Sequence, residues 1–345
     1  MSRVARPICV LATLCVVACS DREPTAITRG GDVPITPELW LGQLIGGEGR
    51  AQAFPVLVGA GDIARCYPGN DFRAAIPASQ TPAESTAILL DHLPGVVMAV
   101  GDNAYEFGSP MDYATCYDPT WGRHKARTRP ATGNHEYLTP GATGYFTYFG
   151  AAAHPETNGY YSYDIAGWHV VVLNSTPQWA ACPPLPPRST AEQGRLCVGD
   201  AAQRAWLSLD LAAHPALCTI AYFHHPRFSS GEHGNQYEMQ QFWDMLYAKG
   251  VDVVVSGHDH DYERFAPQNP DGRADPTRGI REFVVGTGGA ELRRFRTPPV
   301  ANSQVRIAGT YGVLALALGD GRYGWAFVAT SGRRVRDAGG GRCHI

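Results

Sequence analysis

The sequence predicts an α/β protein in which parallel strand–helix units come first and antiparallel strands last. Three observations lead there. Short continuous apolar runs such as Val96-Val97-Met98-Ala99-Val100 end in Gly and then a polar cluster, which is how a buried parallel strand reads at its carboxyl end. Helical periodicity separates the early runs. Beyond residue 280 the runs follow one another without helices, and Gly319-Asp320-Gly321 supplies a hairpin turn between two of them.

The chain has 345 residues, 44% of them hydrophobic, enough for one large α/β domain with a substantial core. Residues 1–18 stand apart. Arg3 and Arg6 precede an apolar stretch over residues 8–18, the design of an export signal and too short to span a bilayer. Val16-Val17-Ala18-Cys19 matches a bacterial lipobox, in which Cys19 is lipidated and becomes the new N-terminus. Ser20 is not the Asp that would retain such a protein at the inner membrane. A plain signal peptide is the alternative. Residues 19–53 mix charge, Pro and Gly without sustained periodicity and read as a tether. The expected catalytic domain spans 54–330, with 331–345 as a tail. Losing the signal removes two of 29 basic residues, so 27 stand against 32 acidic ones, a net charge of −5. A mildly acidic chain is a poor candidate for non-specific nucleic-acid binding.

Six cysteines lie beyond Cys19: Cys66, Cys116, Cys182, Cys197, Cys218 and Cys343. An even number in an exported chain suggests disulfides, and the absence of any CxxC pair argues against a zinc knuckle. Cys182 and Cys197 bracket a Pro-rich loop and suit a local bridge. Cys66 and Cys116 each closely follow a strand that ends in a polar motif, and Cys218 with Cys343 is left by elimination.

In order, the first strand covers 54–60 and ends in Gly61-Asp62. A helix is predicted over 83–93, with Ala87, Leu90 and Leu93 apolar and Pro94 directly after. The strand ending at Val100 completes a βαβ unit, whose crossover is right-handed as a rule. Residues 111–125 read as short helices. Runs over 160–164 and 168–174, separated by Ala166-Gly167, form a hairpin that opens a second sheet. Residues 177–199 read as an excursion loop. A helix follows over 200–214, with Ala205, Leu209 and Ala212 on one face. Then come a strand over 218–223, a helix over 237–249 and a strand over 251–256. The last strands are placed at 281–285, 313–318 and 323–330.

Five short motifs hold the candidate ligands: Gly61-Asp62, Gly101-Asp102-Asn103-Ala104-Tyr105, Gly133-Asn134-His135-Glu136, His224-His225-Pro226 and Gly257-His258-Asp259-His260. Each lies where a strand ends, and in an open α/β sheet ligands bind there. A carboxylate such as Asp102 can bridge two cations with its two oxygens. Side chains at i and i+2 point the same way in extended chain, so His258 and His260 can reach one centre. Mixed carboxylate and imidazole donors suit Fe, Zn, Mn or Co better than Ca or Mg.

In these five motifs the sequence resembles the calcineurin-like metallophosphoesterase superfamily and, within it, the purple acid phosphatases. The resemblance covers about residues 54–330 and includes Tyr262-Glu263-Arg264 after the last motif. It implies a βαββαβ core in a four-layer αββα sandwich. It also implies a first ion held by Asp62, Tyr105, His260 and bridging Asp102, and a second held by Asn134, His224, His258 and the same Asp102. Tyr105 marks the purple branch, where a phenolate accompanies ferric iron; the second ion would be Fe(II), Zn or Mn. The family's His-x-Pro pattern selects His224, and strand alternation is expected to turn His225 to the other face. His135 resembles a phosphate-contacting His and His233 one that assists the leaving group, carried on a Ser/Gly loop expected to be flexible. His92, His124, His154, His169 and His214 match nothing and are expected to be structural. Gly286-Thr287-Gly288-Gly289 lacks the Lys and helix of a P-loop and is expected to turn tightly under the metal site. Plant members carry an N-terminal fibronectin-like domain, for which residues 20–53 are too few.

The function these residues imply is hydrolysis of small phosphate monoesters by in-line attack of metal-activated water, in an envelope lipoprotein held to the membrane through lipid on Cys19. The alternatives are a phosphodiesterase of nucleotides or head groups, and a surface protein that binds metal and phosphate without turnover.

Overall fold

In the computed structural model, residues 54–67, 76–176, 201–296 and 298–344 are described. The expected signal, lipobox and tether, the loop over 177–199 and the bridge between Cys182 and Cys197 lie outside them. Among the described residues no helix is long and apolar enough to cross a membrane.

Strand β1 (Val56–Ala60) is followed by helix α1 (Pro82–His92), β2 (Val96–Val100) and β3 (Thr128–Ala131). Helix α1 starts where the sequence allows it: Thr81 Oγ1 accepts from the Glu84 N–H, Pro82 occupies the first turn, and Pro94 lies just past the end. Its buried face is Ala83, Ala87 and Leu90. After the short helix α2 (Thr143–Phe149) come β4 (Tyr161–Ile165) and β5 (Trp168–Val172). The turn between these two strands has positive φ at Ala166 (49°) and Gly167 (84°), the left-handed pair that matches strand twist in a two-residue hairpin. Helix α3 (Ala201–Ala213), β6 (Cys218–Tyr222), α4 (Gln240–Ala248) and β7 (Val253–Ser256) then complete the second set of parallel units. The remaining strands are β8 (Tyr262–Phe265), β9 (Arg281–Val285), β10 (Ser303–Ile307), β11 (Gly312–Gly319), β12 (Arg322–Ala329) and β13 (Arg334–Arg342).

They form a six-stranded sheet, β13-β12-β11-β1-β2-β3, and a seven-stranded one, β10-β8-β9-β7-β6-β5-β4. Strands β1, β2 and β3 run parallel, as do β5, β6, β7 and β9. The sheets pack face to face: Tyr262 of β8 stacks on Phe327 of β12 with ring centroids 4.1 Å apart, and Trp168 Nε1 donates to Gly319 O at 2.8 Å. Phe242, Trp243 and Leu246 of α4 cover the outer face of the second sheet through Val171, Ala221 and Val254, while α1 covers the first. The architecture is thus the four-layer αββα sandwich that was expected.

Two elements differ from expectation. The helix over 201–213 forms, but its buried residues are Gln203, Leu207 and Asp210, while Leu209 is 72% exposed. Polar anchors set this rotation: Gln203 Oε1 accepts from Asn174 N at 2.9 Å, and Asp210 Oδ2 lies 2.9 Å from His169 Nε2. The segment taken as a tail forms β13, paired along β12. Asp337 accepts from Tyr262 Oη at 2.7 Å, from Arg264 Nε at 2.7 Å and from Trp325 Nε1 at 3.1 Å, which ties β13 to both sheets. Cys343, just beyond β13, is bonded to Cys218 at the start of β6, and Cys66 to Cys116, as the sequence reading paired them.

Candidate metal centre

Apolar strands buried on both faces carry the polar clusters to one place. Asp62 follows β1, Asp102 follows β2, Asn134 follows β3, His224 follows β6 and His258 follows β7, all at carboxyl ends of parallel strands. The two sheets are joined here, Gly61 N donating to Val285 O at 3.0 Å and Gly288 N to Gly61 O at 2.9 Å. Asp62, Asp102 and His258 all have positive φ (59°, 48° and 68°), a backbone state L-residues rarely adopt and one that clusters at functional sites. Small residues make the closeness possible. A Cβ on Gly133 would lie 2.2 Å from Asp102 Oδ1, and one on Gly101 would lie 2.6 Å from His224 Cβ.

One group of donors surrounds the Tyr105 hydroxyl. Tyr105 Oη lies 2.8 Å from Asp62 Oδ1, 3.1 Å from Asp102 Oδ2 and 3.3 Å from His260 Nε2, and His260 Nε2 lies 3.1 Å from Asp62 Oδ1. A second group lies across Asp102. His224 Nε2 is 3.1 Å from Asp102 Oδ2 but out of line for a hydrogen bond, and it has no other partner although wholly buried. Asn134 Oδ1 is likewise shielded from solvent without a partner. The His258 ring is 5.1 Å from that of His224. Buried polar atoms without a hydrogen bond are costly, so His224 Nε2 against Asp102 and the shielded Asn134 Oδ1 point to a place for a cation. The donor set of carboxylate, phenol, amide and imidazole fits two ions of the Fe, Zn or Mn kind.

Charge at the site follows from this crowding. Burial would raise the Asp62 and Asp102 carboxyls, but the neighbouring imidazoles prevail and both are held below the usual range, Asp102 far below it. Burial opposes charge on His224 as well, yet Asp102 and Asp62 push it up to about 9. Tyr105 is driven well above an ordinary phenol by burial and then by Asp102 and Asp62. Burial, then the charge of His224, pushes His225 down to about 3.

Asp62, Asp102, Tyr105, His135, His224, His233, His258 and His260 come together, and Asn134 stands between Gly133 and His135 just past β3. His135 donates its backbone N–H to Asp102 Oδ1 at 2.8 Å and has Nδ1 2.6 Å from Glu106 O, while its ring lies 4.4 Å from that of Tyr105. His233 stacks on His258 with centroids 4.1 Å apart. Its loop is not the loose segment that was expected. Buried Asp259 accepts from Ser229 Oγ, from His233 N at 2.7 Å and from Gly234 N at 3.1 Å, and Glu263 accepts from Ser230 N at 2.7 Å and Ser230 Oγ at 2.6 Å. Gly286 turns tightly under the centre, where a Cβ would meet Asp259 O at 2.1 Å and Asp62 Oδ2 at 2.8 Å.

His225 does not face away. The chain has left β6 by Tyr222, so strand alternation no longer applies, and the His225 ring sits 4.5 Å from that of His258.

Three supporting residues escaped the sequence reading. Glu136 accepts from Gly133 N at 2.6 Å, Asn103 N at 2.8 Å and Asp102 N at 3.0 Å, locking two motif loops together. Asp259 anchors the His233 loop. Both are carboxylates inside motifs already singled out, which is the signal that could have found them. Arg293, whose Nη1 lies 2.5 Å from His233 Nε2, carries no such signal. Burial, with a contribution from Arg293, keeps the His233 imidazole below its ordinary pKa despite Asp259.

The family model described as Calcineurin-like phosphoesterase matches residues 82–262. Purple acid phosphatase 18 of Arabidopsis thaliana is 30% identical over 151 residues, which is 41% of this chain and 30% of that protein. Purple acid phosphatase 22 of the same plant is 26% identical over 280 residues, 69% of this chain and 58% of the other. The chain therefore spans less than two thirds of the length of either relative. Among solved structures, purple acid phosphatase PPD1 from yellow lupin (Lupinus luteus) seeds has a TM-score of 0.59 at 19% identity, covering 86% of this chain and 55% of that one, a likeness of fold.

Proposed function

Since the chain belongs to the calcineurin-like phosphoesterase family, in its purple acid phosphatase-like branch, we propose that it hydrolyses small phosphate monoesters at a dimetal centre. The observation that carries this reading is the convergence of Asp62, Tyr105 and His260 on one side of Asp102 and of His224 and His258 on the other, with Asn134 Oδ1 buried and without a hydrogen-bond partner. Asp62, Tyr105, His260 and Asp102 would hold the first ion, iron(III); Asn134, His224, His258 and Asp102 would hold the second, Fe(II), Zn or Mn. Bound there, the pair supplies Lewis acidity and an activated water for in-line displacement at phosphorus. The protein's own groups do the rest. His135 is oriented by Nδ1–H donation to Glu106 O, and in its imidazolium form it would donate Nε2–H to a phosphate oxygen. His233, fixed by Asp259, would give a proton to the leaving oxygen only when protonated, which its lowered pKa and the Arg293 Nη1 contact at Nε2 confine to the acid side. Glu136 keeps the Asp102 and Asn134 loops in register.

Metal analysis and turnover of an aryl phosphate test this together. Protein purified without chelators should hold two ions per chain, lose activity when they are stripped and regain it on reloading. Two ions without turnover would favour the surface-binding alternative, and no bound ion would end the reading. Oxidised protein should absorb in the visible through Tyr105, and Tyr105→Phe should bleach it with the fold intact, as circular dichroism would check. Because Tyr105 is held protonated in the metal-free site, iron(III) must displace that proton, so its affinity should rise with pH.

The envelope location belongs to the same proposal and rests on Val16-Val17-Ala18-Cys19. Cys19→Ser should move the protein from the detergent phase to the aqueous phase on cloud-point partition. A mature wild-type chain beginning at any residue other than Cys19 would defeat it.

A further inference from the structure

His225 has no part in the ligand set given above, yet it is buried beside it. We infer that His225 is a further ligand of the second ion, which becomes a three-imidazole position; this rests on the dimetal reading.

Three observations carry it. A ring nitrogen from each of His224, His225 and His258 lies within 4.8 Å of the others. Metal–nitrogen bonds of about 2.0–2.1 Å place ligand nitrogens roughly 3–4 Å apart, so small side-chain adjustments close the set. The ring planes are also disposed for it: His225 stands at 85° to His224 and 50° to His258, so their in-plane lone pairs are not parallel. A stacked pair lacks that freedom, as His233 shows, lying at 25° to His258.

The third observation is the outer hydrogen bond. His224 Nδ1 is 3.0 Å from Val100 O and His260 Nδ1 is 2.5 Å from Glu291 O. His225 Nδ1 is 2.9 Å from Ser175 Oγ, which also accepts the His225 backbone N–H at 3.1 Å. Val100 O and Glu291 O can only accept Nδ1–H, and Ser175 Oγ is placed to do the same for His225, which would leave Nε2 as the ligand atom, the arrangement that orients metal-binding histidines. Three imidazoles with one amide and one carboxylate favour a borderline ion such as Zn over Mn or Mg.

The test measures Zn²⁺ affinity of the stripped full-length chain by competition with a chromophoric chelator, for the wild type and for His224→Ala, His225→Ala and His225→Asn. His224→Ala and His225→Ala should each weaken one of two Zn²⁺ positions by at least the 10–100-fold that loss of an outer hydrogen-bond partner typically costs, and leave the other unchanged. His225→Asn, which can keep the bond to Ser175, should lose as much as His225→Ala. Wild-type affinity in either His225 variant, with His224→Ala impaired, would overturn the assignment and leave the dimetal reading standing. Wild-type affinity in His224→Ala as well would overturn the dimetal reading itself. Far-ultraviolet circular dichroism of each variant excludes unfolding as the cause.

Discussion

Asp102→Asn is expected to empty both metal positions and to lower turnover by about 10³–10⁴, the equivalent of several kcal/mol of lost charge stabilisation. Asp102 is placed to serve both donor groups: Oδ2 lies 3.1 Å from Tyr105 Oη on one side and 3.1 Å from His224 Nε2 on the other. The amide keeps the shape of the carboxylate but loses its charge and one acceptor. Because Oδ2 is the oxygen that faces both groups, an amide oxygen placed there turns its NH₂ toward the His135 N–H, a donor now 2.8 Å from Oδ1, and the flipped amide aims its NH₂ at both groups instead. Asn134→Ala touches only the second group and should chiefly empty that position. Metal analysis of the two variants decides the matter, because equal loss of a single ion in both would contradict a bridge at Asp102.

The second large effect is expected at His233. General-acid help is worth about 10²–10⁴ in rate and matters least when the leaving group is already acidic. His233→Ala should therefore slow alkyl phosphates by that factor, spare nitrophenyl phosphate, and leave metal content unchanged. Its loop gives an independent check on position. Asp259→Asn places a donor against the N–H groups of His233 and Gly234, 2.7 and 3.1 Å from its two oxygens, so it should reproduce the leaving-group pattern more weakly. Equal slowing of both substrates by His233→Ala would make it a phosphate binder, and no slowing would make it a bystander.

Much of this was legible because the information was local. Strands buried on both faces read as unbroken apolar runs, so β1, β2, β6 and β7 and the polar groups at their ends stood out. Pro94 marked the end of α1, while its start at the Thr81 cap and Pro82 emerged with the structure. The buried face of α3 was not legible. Periodicity counts apolar side chains, whereas Gln203 and Asp210 were drawn inward by Asn174 and His169, partners on β5 and just beyond it. Strand β13 was hidden for another reason. Arg334 to Arg342 contains Gly339, Gly340 and Gly341, a run that reads as loose chain, but a Cβ at Gly339 would lie 2.3 Å from Trp325 and one at Gly341 would lie 2.4 Å from Tyr323. Glycine is needed there because aromatic rings fill the space.

The sequence by itself determined the α/β class, the two cysteine pairs now seen as disulfides and the identity of the residues gathered at the metal centre. The class and the site residues were encoded in a few adjacent residues, an apolar run, a small residue and a polar one after it, whereas the cysteine pairs, 50 and 125 residues apart, followed only from placement along the chain. Only the tertiary structure decided how those ends meet. It set Asp102 between two donor groups, pinned the His233 loop to Asp259, and brought His225 beside His258 once the chain had left the strand. Those arrangements depend on contacts between segments more than 25 residues apart, such as Ser175 with His225 and His233 with Asp259. Local pattern carries no record of such contacts, because they are fixed by the packing of the two sheets rather than by any one element.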